Sequence, residues 1–422
     1  MPDPTIELAY DPLLLPTAQH RGGLAGLLVL RDSLAQRQEE DGREIGPLPT
    51  SVVDGDGVVR LTFSKASLQT LFDDLFAAAW DPRTSKTAPK GTGFRDLEPF
   101  TVEPPDGKGK PTQQFRYTVI VPKAEFLTTL GMPDIWRKLW RDAIWATLRG
   151  RPKSRIPYEQ SSTGKPVDQA GKLWAELTNK KLGPERPTAF SESLLIGAQS
   201  ETADSVPFEG TARETLLLYF WPVVSLVGQV RQIKTERKEG HTRTLEDDAG
   251  YVFTVPDVAN VAPFVRRFRR AVAQLDASAR GNDYRPAHGI WALPQEGALE
   301  FQHHIVQLAA SAAEQQEART SMTGVEIYQL MKRGNNVPIV ATGRVSTSSW
   351  LADRYALIRD RKTSWSPIFR AQTIRNLLRE YAHGDVPWYR DFDKVFERHD
   401  WELFAGDAAG PFAHDARLAF GE

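Results

Sequence analysis

The chain has 422 residues, 41% hydrophobic and 25% charged, and its 53 basic residues nearly balance 54 acidic ones. A net charge of −1 argues against a nonspecific nucleic-acid coat, which would be strongly basic. The absence of cysteine excludes disulfides, thiolate zinc sites, iron–sulfur clusters and cysteine nucleophiles. The length predicts two or three domains. No run of 18 apolar residues occurs and the acidic start is unlike a signal peptide, so we expect a cytoplasmic protein with no membrane partner.

The first element is a predicted helix from Thr17 to about Gln38, with Thr17 as its cap and leucines at helical spacing. Gly22, Gly23 and Gly26 interrupt it, and each weakens an isolated helix by about 1 kcal/mol relative to alanine. Such a cost indicates a surface that must be free of side chains, either for another backbone or for a phosphate. We favour close packing, because the basic loops that suit phosphate lie further along the chain.

The next segments alternate predicted strands and helices with polar tracts. Residues 58–63 and 114–121 read as strands, and helices are expected over 67–80 and from Pro133. Three tracts rich in glycine, proline and polar residues read as loops: 81–95, 104–111 and 150–172. Long loops in compact domains are often functional or disordered.

A buried strand is predicted over 215–224, followed by a hairpin over 231–243 that is closed by 251–255. Beyond residue 258 the spacing is helical, and the predicted helices cover 261–275, 300–319, 325–332, 350–359 and 365–381. We therefore predict an α+β protein. A mixed α/β, nucleic-acid-reading region with long basic loops covers 1–258, with a sub-boundary near 160–185. A C-terminal helical bundle covers 259–422.

Catalytic signatures are absent from the sequence: it contains no Walker loop, no GxSxG and no HExxH. The acidic pairs Asp73–Asp74 and Asp247–Asp248 lack a third carboxylate at supporting spacing for magnesium. We expect no catalytic residue, no metal site and no cofactor.

Residues suited to nucleic acid are better represented. Lysine and arginine supply charge, glycine lets backbone N–H groups approach a phosphate, and glutamine can bind an adenine edge. The alternatives to nucleic-acid binding are flexible loops and solvated faces that bind no ligand. The basic residues of the C-terminal bundle, which are named last below, suit a neighbouring subunit's acidic face as well as they suit nucleic acid. The candidates are Lys86, Lys90, Gly91, Gly93, Arg95, Lys108, Lys110, Gln113 and Gln114 in the two loops, Arg149, Arg151, Lys153 and Arg155 after the Pro133 helix, Lys234, Arg237, Lys238 and Arg243 in the hairpin, and Arg361, Lys362 and Arg370 in the bundle.

Several of these segments carry a family resemblance. Residues 8–30, with Gly46-Pro-Leu-Pro49 and 67–76, resemble the start of the large subunit of type I CRISPR effector (Cascade) complexes, in the myxobacterial subtype. The likeness continues through 114–122 and 135–145 and fades beyond about residue 160.

This resemblance implies a non-catalytic subunit that binds the 5′ handle region of a guide RNA, recognises a short motif in the target DNA duplex and supports strand opening. The implied partners are the guide RNA, the target duplex and its displaced strand, the backbone and handle-binding subunits, and a recruited helicase-nuclease. The C-terminal bundle would hold the displaced strand or pack along the backbone subunits.

Two other function classes stay open. The first is a scaffold whose basic faces dock acidic protein partners, and salt-sensitive co-purification of RNA would separate it from the CRISPR interpretation. The second is a hydrolase built on carboxylates that only the fold brings together. Two buried carboxylates about 5 to 9 Å apart in a cleft would indicate such an enzyme.

Overall fold

The structure is a computed structural model of the chain. It describes residues 3–42, 44–89, 94–103, 111–148, 152–190, 196, 208–238, 241–280, 283–307, 311–333, 337–359, 367–398 and 420. Within these residues, no helix combines the length and the apolar character needed to cross a bilayer.

The described residues contain both strands and helices, and beyond residue 346 they contain helices alone, which confirms the α+β class. The strands are β1 (Thr5–Tyr10), β2 (Thr50–Val53), β3 (Val59–Ser64), β4 (Ala78–Ser85), β5 (Phe94–Val102), β6 (Thr112–Pro122), β7 (Pro187–Ala189), β8 (Glu209–Thr211), β9 (Leu226–Lys238), β10 (His241–Val258), β11 (Ala279–Arg280), β12 (Asp283–Pro286), β13 (Ile290–Trp291), β14 (Met322–Leu330) and β15 (Ile339–Ser346). The helices are α1 (Ala18–Asp41), α2 (Lys65–Leu75), α3 (Glu125–Thr129), α4 (Asp134–Leu148), α5 (Pro152–Ser162), α6 (Asp168–Leu177), α7 (Ala212–Leu218), α8 (Val261–Ala273), α9 (Pro294–Gln307), α10 (Ala312–Ser321), α11 (Ser349–Arg359), α12 (Pro367–His383) and α13 (Phe392–Arg398).

Three sheets of three or more strands organise the described residues. The largest has the order β13-β9-β10-β14-β15, in which β13 pairs with β9 in parallel and the other neighbours are antiparallel. The others have the orders β1-β3-β2 and β4-β6-β5. The largest sheet joins strands from both sides of residue 258 through the β10–β14 pair. The domain division near that residue stays a prediction.

Helix α1 lies at the centre of the core. Thr17 caps it as predicted, and every residue from 22 to 30 is buried. It packs against α7, α8, β10 and the 3-10 turn Trp221–Val224. A Cβ built on Gly23 would lie 2.1 Å from the Leu217 carbonyl oxygen, and one on Gly26 would lie 2.1 Å from the Phe220 carbonyl oxygen. The prediction of close packing is therefore confirmed, and the surface that approaches these glycines is backbone.

A carboxylate links the start of α1 to the largest sheet. Asp257, near the end of β10, accepts hydrogen bonds from Arg21 Nε at 2.5 Å, Thr323 Oγ1 at 2.7 Å and Arg344 Nη2 at 2.9 Å. Burial of the carboxyl opposes its ionisation, but hydrogen bonds from Thr323, Arg344 and Arg21 outweigh that and lower the pKa of Asp257 below its ordinary value. One buried side chain thus ties α1, β10, β14 and β15 together.

Two predicted elements have the wrong type. Residues 215–224, predicted as a strand, form the end of α7 and a 3-10 turn, because Thr211 and Glu214 make a capping box that starts a helix. Residues 325–332, predicted as a helix, lie mostly in β14, which pairs with β10 and β15 on its two sides. Both runs are largely buried, and short buried runs have too little periodicity to separate helix from strand.

The predicted polar loops also contain regular structure. Residues 81–95 and the stretch before 104 supply β4 and β5, which flank β6. Pro82 and Pro99 fit there because β4 and β5 are edge strands, where a missing N–H is tolerated. Residues 150–172, also predicted as a loop, supply α5 and the start of α6. The predicted helix over 300–319 is divided between α9 and α10.

The glycine contacts predict opposite effects for two Gly→Ala changes within helices. Gly23→Ala places a methyl group against the Leu217 carbonyl, and we expect it to lower the free energy of unfolding by about 1–3 kcal/mol or more. Gly171→Ala in α6 meets no atom within 4 Å, so it should raise stability by up to about 1 kcal/mol. Urea unfolding of the two variants measures both changes. Equal stability of the two would contradict the packing account.

The Asp257 contacts predict a pH-dependent contribution to stability. A carboxylate whose pKa is lowered on folding stabilises the native state above its ordinary pKa of about 4, and the contribution disappears as the pH falls through the lowered value. We expect Asp257→Asn to reduce the free energy of unfolding at pH 7, and the difference from wild type to shrink at acid pH. The exposed Asp56→Asn is the control. A deficit of the same size at every pH would argue that Asp257 acts only through its shape.

Candidate nucleic-acid interface

The three-stranded sheet β4-β6-β5 carries three of the predicted site residues, Arg95, Gln113 and Gln114. Strand β6 lies in the centre and has antiparallel neighbours on both sides. Its inner end is anchored by the buried Ile120 and Val121, and helices α4 and α5 pack against the sheet. The outer part is far more open, since β5 is exposed over most of its length.

The register of the three strands sorts side chains onto two faces, because directly opposed residues share a face and neighbours along a strand do not. Gln114 lies opposite Phe100, and Trp80 lies opposite Ile120, two positions that fall on the same face of β6. Arg116 belongs to this face, and Arg95 joins it opposite Thr118. We call these five residues, Trp80, Arg95, Phe100, Gln114 and Arg116, the basic-aromatic face.

The basic-aromatic face is open to solvent along β4, and the outer parts of β5 and β6 have exposed residues on both sides of the sheet. Along β4, the residues on this side, Pro82 and Thr84, are exposed, whereas Asp81, Arg83 and Ser85 on the opposite side are half-buried. Arg116 is exposed as well. A ligand can therefore approach this face without rearrangement of the described sheet.

Two arginine–aromatic pairs distinguish this face. The Arg95 Cζ lies 3.7 Å from the centroid of the Trp80 ring, and the Arg116 Cζ lies 5.3 Å from the centroid of Phe100. A guanidinium over an aromatic ring is attracted by the quadrupole of the ring. Because Trp80 and Arg95 belong to strands on opposite sides of β6, the Arg95 side chain crosses above the central strand.

The predicted residues of the first two loops have mixed outcomes. Arg95 and Gln114 belong to the basic-aromatic face, while Gln113 lies on the opposite side of β6. Lys86 is exposed directly after β4. Lys90, Gly91, Gly93, Lys108 and Lys110 lie outside the described residues.

One predicted residue of the segment after α4 is buried. Arg155 is only 7% exposed and its guanidinium lies 3.8 Å from Glu159, a position that does not suit the predicted phosphate contact. Lys153 lies in the first turn of α5. Arg149 and Arg151 lie outside the described residues.

The predicted hairpin is confirmed as the long β9–β10 pair. Its backbone register places Lys238 opposite His241, Arg237 opposite Thr242, Arg243 opposite Glu236 and Lys234 opposite Leu245. These four basic residues therefore lie toward the end where β9 leads into β10, and the pairing of Leu226 with Thr254 marks the opposite end of the hairpin. Whether they contact nucleic acid stays a prediction.

In the C-terminal region, Arg370 has a position that does not suit the predicted nucleic-acid contact. This residue is 3% exposed and its guanidinium pairs with Glu296 at 2.7 Å and donates to the Ile358 carbonyl at 2.7 Å. Burial opposes the charge, yet Glu296 raises the pKa of Arg370 above its ordinary value. Arg361 and Lys362 lie outside the described residues.

Arg370 belongs to a buried ion cluster that joins α9, α11 and α12. Glu296 and Glu300 are fully buried, and the Tyr355 hydroxyl lies 3.3 Å and 2.7 Å from their carboxylates. Arg359 pairs with Glu300 at 2.8 Å, as Arg370 does with Glu296. Each carboxylate is thus neutralised by an arginine, which is the arrangement of a structural ion cluster. Among the residues that the structure describes, no three metal-ligating side chains lie together as a metal site would need.

Three residues of the basic-aromatic face were missed by reasoning from the sequence, namely Trp80, Phe100 and Arg116. The predicted strand over 114–121 contained part of the signal, since alternation places Gln114 and Arg116 on one face. Trp80 and Phe100 were not identifiable, because β5 was not predicted and Trp80 was placed at the end of a helix. Their grouping depends on pairing with β6.

Comparison with known families gives two matches that follow each other along the chain. The family model for the Type I-B CRISPR Cas8b N-terminal domain matches residues 52–316, and that for the Type I-B CRISPR Cas8b C-terminal domain matches residues 322–422. A search of the curated proteins finds no match. The basic-aromatic face lies within the first matched range.

The ion cluster predicts a large stability effect. Arg370→Ala removes the guanidinium from the buried Glu296, and we expect it to lower the free energy of unfolding by about 3–5 kcal/mol. The double change Glu296→Gln with Arg370→Met should recover much of that loss, because it leaves no buried charge at this pair. The exposed Arg266→Ala is the control and should stay within about 0.5 kcal/mol of wild type. Denaturant unfolding measures all three, and an Arg370→Ala protein as stable as the control would show that the cluster is not structural.

Proposed function

The chain belongs to the Cas8b family of type I-B CRISPR proteins, the family of the large subunit of type I-B effector complexes, and from this premise we propose its role in the complex. It binds the 5′ handle region of the guide RNA, recognises a short motif beside the target in duplex DNA, and supports opening of the strands. It does so without catalysing a reaction. Its other partners are the backbone and handle-binding subunits and a recruited helicase-nuclease, and it acts in the cytoplasm.

The observation that carries this proposal is the order and extent of the two family matches. An N-terminal domain match followed directly by a C-terminal domain match accounts for residues 52–316 and 322–422. The family thus extends over both the sheet-rich and the helix-rich parts of the chain. Within type I, the myxobacterial subtype suggested by the first 160 residues is a finer proposal, which the neighbouring genes would test.

The division of labour in guided complexes explains why such a subunit needs few base contacts. Pairing between guide and target reads most of the sequence, so the protein reads only a short motif and holds backbones. A chain of net charge −1 can do this with local surfaces. The basic-aromatic face supports the proposal because it presents Arg95 and Arg116 to solvent on one side of the sheet β4-β6-β5. The hairpin end, with Lys234, Arg237 and Lys238, is a second candidate segment for such contacts.

The direct test is reconstitution of the effector complex with guide RNA, with and without this chain. We expect the chain to be required for binding that depends on the target-adjacent motif. Arg95→Ala combined with Arg116→Ala should weaken target binding roughly tenfold, the scale of losing charged hydrogen bonds. Arg83→Ala is the matched control, because Arg83 lies on the opposite face and pairs with Asp81 at 3.0 Å.

Two results would contradict parts of this proposal. If Arg83→Ala weakens binding as much as the double change, the contact is not specific to the basic-aromatic face. If the purified chain joins acidic proteins but neither assembles with guide RNA nor alters target binding, the scaffold alternative is favoured. Filter binding or fluorescence anisotropy at two salt concentrations gives the readout, since phosphate contacts weaken with salt.

A further inference from the structure

The geometry points to unpaired nucleotides as the ligand of the basic-aromatic face. We propose that a short single strand lies along it, with bases stacked at the Trp80–Arg95 and Phe100–Arg116 pairs. The inference rests on the proposed function, because it names the form of nucleic acid that this surface takes.

The two pairs lie at separate points on one continuous face. Trp80 is opposite Ile120 and Phe100 is opposite Gln114, so the two aromatic rings are six positions apart along β6, or about 20 Å. Their arginine partners lie between them, with Arg95 opposite Thr118. Trp80 and Phe100 also lie on opposite edge strands, which makes the line between them diagonal. A few nucleotides of extended single strand fit this length, at the lower end of the site sizes of single-strand-binding sheets.

Each pair offers a flat surface for a base. The Arg95 guanidinium lies close over Trp80, at 3.7 Å, and its outer side presents a planar cation. Unpaired bases stack both on aromatic rings and on guanidinium planes. The Arg116 group is further from Phe100, at 5.3 Å, and both it and the half-buried ring are accessible from the solvent side. A duplex keeps its bases stacked on one another and has no free base to offer to either surface.

The charge on the basic-aromatic face bears on whether it binds nucleic acid through stacked bases or through backbone phosphates. Arg95 lies 3.4 Å from Asp96, and Glu98 lies directly opposite Arg116 in the register. Two acidic groups therefore balance the two arginines. Binding to duplex DNA depends strongly on neutralised phosphates, which a balanced surface supplies poorly. Base stacking does not itself require net charge and adds to any backbone contacts, so the aromatic rings of this face favour unpaired bases.

A polar group is available beside the outer stacking position. Gln114 is half-buried, lies opposite Phe100 and has an amide that can donate to and accept from a base edge. Its neighbour Gln113 is more exposed but lies on the other face. The pair of adjacent glutamines therefore provides one test residue and one control of the same chemistry.

The experiment compares the full chain and its variants for binding to a labelled oligothymidylate and to a duplex of equal length, by fluorescence anisotropy. Phe100→Leu removes a stacking ring and should weaken single-strand binding by roughly 5- to 150-fold while duplex binding is unchanged. Phe115→Leu, a half-buried ring on the opposite face, should change neither. Gln114→Ala should weaken single-strand binding more than Gln113→Ala does.

A second measurement uses only the wild-type chain, so its result does not depend on whether a variant folds. Ultraviolet crosslinking of the wild-type chain to a bromouridine oligonucleotide should label peptides that contain Trp80 or Phe100. Crosslinks confined to other peptides, or a Phe100→Leu variant that binds single strands as well as wild type, would overturn the proposal that single strands stack on this face. If Arg95→Ala with Arg116→Ala still weakens target binding in that case, the face contacts nucleic acid without stacking. If that double change also has no effect, the contact itself is refuted.

Discussion

The close approach of α1 to the carbonyls of Leu217 and Phe220 is the constraint on which the rest of the fold depends. Without side chains at Gly23 and Gly26, the helix backbone reaches the end of α7 and the turn after it, and its middle is buried on every side. The same helix then packs along β10 and α8. Because protein interiors are close-packed, one methyl group at this contact would displace several elements together.

Outside this central contact, buried charged groups join further helices and strands to one another. Asp257 joins the start of α1 to β14 and β15, and the Glu296 and Glu300 cluster joins three helices of the C-terminal region. Both arrangements bury ionised groups that are costly unless partnered, so each specifies one arrangement of its elements. The three-stranded sheet β4-β6-β5 is different, since its inner end is anchored in the core and its outer part stays accessible.

Reasoning from the sequence predicted part of the candidate interface. It identified the basic and amide residues of 86–114 as binding candidates, and two of them, Arg95 and Gln114, lie together on the basic-aromatic face. It treated Gln113 and Gln114 as equivalent, although the pleat of β6 separates them. It also treated Arg370 as a surface cation, whereas a carboxylate from α9 neutralises it in the core. Charge identifies candidates, but burial and pairing come from residues far away in the chain.

The sequence alone determined the α+β class, the capped glycine-bearing helix, the long hairpin and the type I CRISPR large-subunit family, since these depend on local spacing or on extended sequence likeness. The tertiary structure decided the rest. Residues 322–330 became a strand because β10 and β15 supply hydrogen bonds on both sides, and the polar tract from 81 became a sheet because β6 pairs with it. The aromatic rings and arginines of the interface meet for the same reason: strand pairing is a long-range interaction, and local propensity cannot specify the partner.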